Sequence, residues 1–208
     1  YGLHDCLKIF SGGLGILAGD YLKEASDSKV NLVGVGLLYR YGYFRQTLNM
    51  HGEQMANYIP EHFSKIPVQP TYDKNGEWLT IEVEYPGRSL KARVWEVYVG
   101  SVKLYLLDAD TDMNHDYDRS VTHNLYGGDN ENRLKQEILL GIGGIRLLNA
   151  LGYQPDIYHC NEGHAALIGI ERTARLVEDC NLTYAQAKEV VRASTLFTTH
   201  TPVPAGHD

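Results

Sequence analysis

Cysteine is scarce: Cys6, Cys160 and Cys180 are the only ones in 208 residues. An odd count at such long spacing is not a disulfide framework, and it favours a reducing, cytoplasmic setting over a secreted one. No apolar run reaches the roughly 18 residues that a membrane-spanning helix needs. The start, Tyr1-Gly2-Leu3-His4-Asp5, has no basic segment of the kind that opens a signal peptide. Basic residues are outnumbered, 19 Lys and Arg against 26 Asp and Glu, for a net charge of −7. Such a surface repels a phosphate polymer, which disfavours general nucleic-acid binding and leaves a neutral substrate such as a sugar open. Internal repeats and low-complexity tracts are also missing. What is there is ordinary for a globular protein, with 43% hydrophobic and 22% charged residues. The length suggests one domain or slightly more. An initiator Met is missing, and the last residues are Pro204-Ala205-Gly206-His207-Asp208, so the chain reads as part of something longer.

Periodicity lays out an α/β chain. After Ser11-Gly12-Gly13-Leu14-Gly15, the residues Ile16, Leu17, Tyr21, Leu22 and Ala25 recur at helical spacing, which predicts an amphipathic helix opening out of a glycine loop. Residues 32–39 are almost wholly apolar, as in a strand buried on both faces of a parallel sheet, and residues 41–46 extend it or form a hairpin. Residues 49–77 read as loop with fragments of structure. Residues 79–85, 90–99 and 102–108 alternate with period two, as antiparallel strands do, and Gly100-Ser101 suits a tight turn between the last two. A loop from Asp110 to Asn132 precedes a helix to about Asn149, with Leu134, Ile138, Ile142, Ile145 and Leu148 as its buried stripe. Ile157-Tyr158-His159-Cys160 reads as a strand, followed by a helix with Ala165, Ile168, Ile170 and Ala174 among its apolar positions, and another from about Thr183 to Arg192. Residues 195–200 then read as a strand ending at a polar tip. Strand and helix alternation over 156–199 predicts parallel βαβ connections, with the antiparallel section at about 77–110 as an insertion.

The chemistry-bearing residues gather at loop and strand ends. A glycine loop before a helix lets a ligand approach the backbone, and the free amides and dipole of the helix start suit phosphate. Turn glycines at a helix start are common, so Gly12, Gly13 and Leu14 are weak evidence by spacing alone. His159, Glu162, His164, His200 and His207 raise the question of a metal, but His159 and His164 lack a standard zinc spacing and the other partners lie far off. Their placement at or just past predicted strand ends points instead to a polar ligand pocket, since open α/β sheets bind ligands there. Each of these histidines also fits a hydrogen-bonded structural role. Asp129 and Asn130, in Tyr126-Gly127-Gly128-Asp129-Asn130-Glu131-Asn132, fit either a turn with a helix N-cap or a loop presenting polar groups to sugar hydroxyls. The 15 tyrosines include rings that can stack on sugars, though most read as strand and surface residues.

Several stretches together resemble the glycogen, starch and maltodextrin phosphorylases, most closely the short bacterial and archaeal α-glucan phosphorylases. They are Tyr1-Gly2-Leu3-His4, Ser11-Gly12-Gly13-Leu14-Gly15-Ile16-Leu17-Ala18-Gly19-Asp20, Gly34-Val35-Gly36-Leu37-Leu38-Tyr39-Arg40-Tyr41-Gly42-Tyr43-Phe44, Leu134-Lys135-Gln136-Glu137, His159-Cys160-Asn161-Glu162-Gly163-His164-Ala165-Ala166 and Thr198-Thr199-His200-Thr201-Pro202. They occur in the family's order and span almost the whole chain. The resemblance implies a Rossmann-like N-terminal domain of a GT-B glycosyltransferase, with the active site in the cleft between two such domains. The implied reaction is phosphorolysis of a terminal α-1,4-linked glucose to glucose 1-phosphate, from an α-1,4-glucan and inorganic phosphate. The implied cofactor is pyridoxal phosphate, whose phosphate group exchanges a proton with the substrate phosphate. Its lysine and the basic phosphate-holding residues belong to a C-terminal domain, so none is expected here, and the isolated chain is expected to be inactive. A homodimer of the full-length enzyme is left open.

By the same resemblance, Gly12, Gly13 and Leu14 match the loop whose amides approach the substrate phosphate and sugar. His200 matches the histidine whose backbone carbonyl faces the reacting glucose, where its dipole helps an oxocarbenium-like transition state. Asp129 and Asn130 match a loop pair that touches the glucose, and His159, Glu162 and His164 line the acceptor end. Ser11 departs from the long forms, which have Asn there. The alternatives are a nucleotide-sugar-dependent glucan synthase of the same fold and a non-catalytic sugar-binding module. Lys135-Gln136-Glu137 and residues 34–44 favour the phosphorylases over the synthases.

Overall fold

The computed structural model describes residues 1–200; Thr201, Pro202 and His207 lie outside the described residues. The chain forms two compact units, Tyr1–Arg133 and Leu134–Asp208. The first opens with helix α1 (Gly12–Asp27). Gly15 and Gly19, inside this helix, each weaken it by up to about 1 kcal/mol relative to alanine, so packing has to hold it. The buried residues are Gly19, Leu22 and Ala25. Ile16, Leu17 and Tyr21, expected on the buried stripe, are 45%, 47% and 51% exposed. The cause is a backbone contact in place of a side-chain one. The Gly2 amide donates to the Gly15 carbonyl at 2.6 Å, and a Cβ on Gly19 would stand 2.3 Å from the Gly2 carbonyl oxygen. The Tyr1-Gly2 strap therefore lies on the glycine face and rotates the apolar residues toward solvent.

The strands of this unit are β1 (Val33–Leu37), β2 (Arg45–Leu48), β3 (Gln54–Asn57), β4 (Gln69–Pro70), β5 (Thr80–Tyr85), β6 (Arg88–Val99) and β7 (Val102–Asp108), followed by the short helix α2 (Asp116–Arg119). One five-stranded sheet runs β1-β7-β6-β4, with β5 also paired to β6. β1 lies parallel to β7, in register from Val33 opposite Lys103 to Leu37 opposite Leu107. β6 is antiparallel to β5 and β7. In β5 the period-two pattern buries Ile81, Val83 and Tyr85 and leaves Glu82 and Glu84 outside. β7 is buried at nearly every position because α1 covers one face of a sheet already packed on the other. Leu7, Leu22, Leu38, Phe63, Val97, Val102, Leu104 and Leu106 form the core. Each full burial of such a side chain contributes about 1.5–3 kcal/mol. Residues 45–57, expected as loop from 49 on, form the exposed β2–β3 hairpin.

Helix α3 (Asn130–Ile138) begins in the last residues of the first unit and, in the second, runs through a π turn at Leu139–Gly143 into α4 (Gly144–Ala150). Of the expected buried stripe, Ile145 and Leu148 are buried and Leu134 is exposed, while Leu139 and Leu147, not on that stripe, are buried. The wider π turn adds a residue to one helical loop and shifts the stripe. β8 (Tyr158–Asn161) and β9 (Thr195–Thr198) are parallel, Tyr158 opposite Thr195 and Asn161 opposite Thr198. They are joined through α5 (Ile168–Cys180) and α6 (Tyr184–Ala193), the βαβ connection expected from the alternation. On α5, Ile168 is buried but Ile170 and Ala174 are exposed. Thr183 starts α6 with a capping box: its hydroxyl accepts from the Gln186 amide while the Gln186 side chain accepts from the Thr183 amide. Ile145, Cys160 and Ile168 form a small core with Tyr158 and Ala165. The fold is α/β with a mixed parallel and antiparallel sheet.

Candidate functional site

In the first unit, Gly12 and Gly13 are exposed and Leu14 is half-buried, within the first turn of α1. The glycines thus belong to the helix itself. Ser11 stands at the N-cap in extended conformation without a capping side-chain bond, so none of the first amides is taken by Ser11. Gly12 has φ of 71°, a conformation suited to glycine. A Cβ added to Gly12 or Gly13 would meet, among the described residues, nothing within 4 Å beyond its chain neighbours and the backbone of its own helix.

Asp129 caps α3. Its carboxylate accepts from the Asn132 amide at 3.0 Å, and its carbonyl from the Arg133 amide at 3.0 Å. Asn130 is the first residue of the helix, and both are exposed. The bend before them has φ of 57° at Tyr126 and 89° at Gly128, and the Asn132 side chain donates to the Gly127 carbonyl at 2.9 Å.

A buried polar network that the motifs did not single out sits at the carboxyl end of β7. The Asp110 carboxylate accepts from the Nε of Arg40 at 2.7 Å and of Arg119 at 2.8 Å, with His123 3.7 Å away. Burial alone would raise the Asp110 pKa, but the hydrogen bonds from Arg40 and Arg119 and the nearby positive charge outweigh it and hold it below the usual value. Arg40 also stacks on Phe63, 4.1 Å from the ring centroid, and donates to the Glu61 carbonyl. Asp108 is 3% exposed. Burial pushes its pKa up to about 6, against the opposing pull of the Asp110 amide, the Arg40 charge and the Trp95 indole. The same corner ties down the approach to residues 126–130: the Arg40 and Tyr41 amides donate to the carbonyls of Thr122 and His123, and the Leu125 amide to Gly42. The signal was the Asp108-Ala109-Asp110-Thr111-Asp112 run after a buried strand.

In the second unit, Glu162 and His200 meet just past the carboxyl ends of the parallel strands β8 and β9, and His159 lies within β8. The His159 Nε2 is 2.8 Å from the Thr198 hydroxyl. The His200 Nε2 is 2.7 Å from the Asn161 side-chain oxygen. Glu162 is 5% exposed. Its carboxylate accepts from the backbone amide of His200, and from the Thr199 hydroxyl at 3.4 Å. Its own amide donates to the Thr198 carbonyl at 2.9 Å. Its backbone, at φ 60° and ψ −169°, lies in a region almost reserved for glycine, at a cost of about 1–3 kcal/mol. His164 is exposed, in a single 3-10 turn, Gly163–Ala165. Sequence reasoning found the histidines and Glu162 but not Asn161, Thr198 or Thr199 as their partners. Among the described residues no three His, Cys, Asp or Glu side chains are grouped to hold a metal ion, and no helix is long and apolar enough to cross a membrane.

An α/β chain with polar clusters at the carboxyl ends of its parallel strands has the layout of a ligand-binding α/β domain. The profile of a glycosyltransferase family, described as the starch synthase catalytic domain, matches residues 36–201, and the chain belongs to that family. Its full length is 48% identical to maltodextrin phosphorylase of Thermococcus litoralis, over 208 residues that make up 25% of that protein. It is 49% identical over 214 aligned residues to glycogen phosphorylase of Mycobacterium tuberculosis, again with 100% of the chain and 25% of the relative covered. Glycogen phosphorylase of Aquifex aeolicus is 40% identical over 98% of the chain and 29% of its own length. The chain thus spans about a quarter of the length of these relatives.

Proposed function

We propose that this chain is part of an α-glucan phosphorylase, which transfers a terminal α-1,4-linked glucose from a glucan to inorganic phosphate and releases glucose 1-phosphate. The observation that carries the reading is the identity of about half the residues, along the whole chain, to proteins named maltodextrin and glycogen phosphorylase. The chain would form one wall of a GT-B cleft in a cytoplasmic enzyme. The exposed first turn of α1 supports a phosphate-facing role for Gly12, Gly13 and Leu14, because free amides at a helix start attract anions. The β8–β9 cluster supports a role for His200 beside the glucose, with His159 and His164 toward the acceptor. Asp129 caps its helix and keeps an exposed carboxylate edge, so capping and sugar contact are compatible. The net charge of −7 suits a neutral glucan better than a nucleic acid.

Such an enzyme uses pyridoxal phosphate, which when bound supplies the phosphate that exchanges a proton with the substrate phosphate. The described residues do not fit its aldehyde: no lysine among them is buried, Lys8 pairs with Glu61, and the Lys103 ammonium lies against Glu96. The proposal therefore assigns the cofactor to the rest of the enzyme.

The family description supports a second reading, extension of a glucan from a nucleotide sugar. One assay separates the two. The full-length protein is given maltooligosaccharide, phosphate and pyridoxal phosphate, and in parallel maltooligosaccharide with a nucleotide sugar. Glucose 1-phosphate release that depends on phosphate and cofactor is the expected result. Chain extension without such release would replace phosphorylase by synthase.

A further inference from the structure

We propose that Glu162 is a positioning residue that fixes the His200 peptide, and that it makes no contact with the glucan. The inference deepens the phosphorylase reading and rests on it for the role of His200. Glu162 directly follows β8 and reaches across to the segment just past β9. One carboxylate oxygen accepts from the His200 amide and the other from the Thr199 hydroxyl. A carboxylate 5% exposed, with each oxygen engaged by its own chain, has no free face for a sugar hydroxyl. The His200 ring is held separately by Asn161. Backbone and ring of His200 are thus tied to consecutive residues of one strand end, which leaves the peptide little freedom to rotate.

The backbone of Glu162 points the same way. With φ of 60° and ψ of −169°, glycine would fit the position better, yet a glutamate occupies it. Strain of this kind persists where surrounding structure enforces it, and it concentrates at functional sites. The enforcing contacts here are the Glu162 amide on the Thr198 carbonyl and the carboxylate on His200. Orientation matters because a backbone dipole helps a developing positive charge only when it is aimed in advance.

The test uses the full-length enzyme with Glu162→Gly and Glu162→Gln. Glycine relaxes the strained backbone and removes the acceptor, so its melting temperature should equal or exceed that of the wild type. Its kcat for phosphorolysis should fall about 100-fold, the effect of a small misplacement at the reacting centre, with KM for maltooligosaccharide and phosphate within about threefold. Glutamine keeps one acceptor oxygen for the His200 amide and should recover most of the kcat. Hydrogen exchange at the His200 amide should be faster in the Gly variant than in the wild type. This arm needs no turnover, so it tests the anchoring even if the wild type proves not to be a phosphorylase. A raised glucan KM at unchanged kcat would make Glu162 a direct sugar contact and overturn the proposal. Unchanged kcat in the Gly variant, unchanged exchange at His200, or a Gln variant as slow as the Gly variant would overturn it too.

Discussion

Gly13→Ala separates ligand approach from folding, because the added methyl has nowhere to clash. Outside its chain neighbours and the backbone of its own helix, no atom of the described residues lies within 4 Å of a Cβ built there. The residue lies in the first turn of α1, and its φ is not among the positive ones. Helix propensity alone favours alanine over glycine by up to about 1 kcal/mol, and less than that is realised in a first turn. The melting temperature of the domain should therefore stay the same or rise by up to about 4 °C, at roughly 2–4 °C per kcal/mol for a domain of this size. The proposed phosphate would meet the same methyl at close range. A hydrogen bond to a charged group contributes about 1.5–3 kcal/mol. Forcing the anion off one amide should therefore lower kcat/KM by about 10- to 100-fold, with the phosphate KM rising. Initial rates at varied phosphate and a calorimetric scan of the same preparation give both numbers. Wild-type kinetics in the variant would refute the placing of a ligand at this turn. A melting temperature lowered by several degrees would refute the claim that the position faces open space.

Asp110→Ala should destabilise the first unit by about 1–2 kcal/mol, because it removes the carboxylate that accepts from the partly exposed Arg40 and Arg119; a calorimetric loss near zero would make the network ornamental. Asp108 bears on pH. Its folded pKa of about 6 lies above the ordinary 3.8, so between those values the folded state holds the extra proton and stability falls as pH rises, by about 3 kcal/mol at about 1.4 kcal/mol per pH unit. Asp110, held low, acts in the opposite sense: its contribution is present above the ordinary value and lost as pH falls through the folded one. Asp108→Asn should flatten the decline between pH 4 and 6; melting temperatures of wild type and variant that track each other across this window would exclude Asp108 as its source. Gly141→Ala and Gly169→Ala form a matched pair. The first drives a Cβ to 2.8 Å from Leu167 and should cost about 1–3 kcal/mol, while the second meets nothing within 4 Å and should be neutral or stabilising by up to about 1 kcal/mol. Equal melting temperatures for the two would show that Leu167 yields freely.

Where side chains carry the packing, the elements were legible in sequence. Ile81, Val83 and Tyr85 alternate with Glu82 and Glu84 because one face of β5 is wet, and the apolar run around β1 is continuous because both faces are covered. Where backbone carries it, the pattern misleads. The contact face of α1 includes Gly15 and Gly19, whose value is the side chain they lack, so a search for apolar residues chose Ile16, Leu17 and Tyr21 on the wrong side. The π turn at Leu139–Gly143 misled in another way: a period of 3.6 residues cannot be carried through a turn that holds more.

The candidate site was half legible for a related reason. Strand-end placement selected His159, Glu162 and His200 because it is a rule about position along one strand. Their partners answer to a rule about neighbouring strands. Asn161 and Thr198 are 37 residues apart in sequence and opposite each other in the β8–β9 register, which sets His159 opposite Leu196; each side chain contacts the residue two beyond its register partner, His159 with Thr198 and Asn161 with His200. The Asp110 network was missed on the same ground, since Arg40 and Asp110 are separated by 70 positions and meet only because β1 and β7 are parallel neighbours. Both polar clusters thus lie where a parallel pair of strands ends. A parallel pair sends both chains out at the same edge, so donors and acceptors remote in sequence arrive there together, whereas an antiparallel hairpin returns only its own near neighbours. The antiparallel β5–β6–β7 section supplies most of the core and has polar pairs of its own, Glu96 with Gln69 and Lys103 and Arg88 with Asp118, whereas the parallel β8–β9 pair, a sheet by itself, holds His159 and leads into Glu162 and His200.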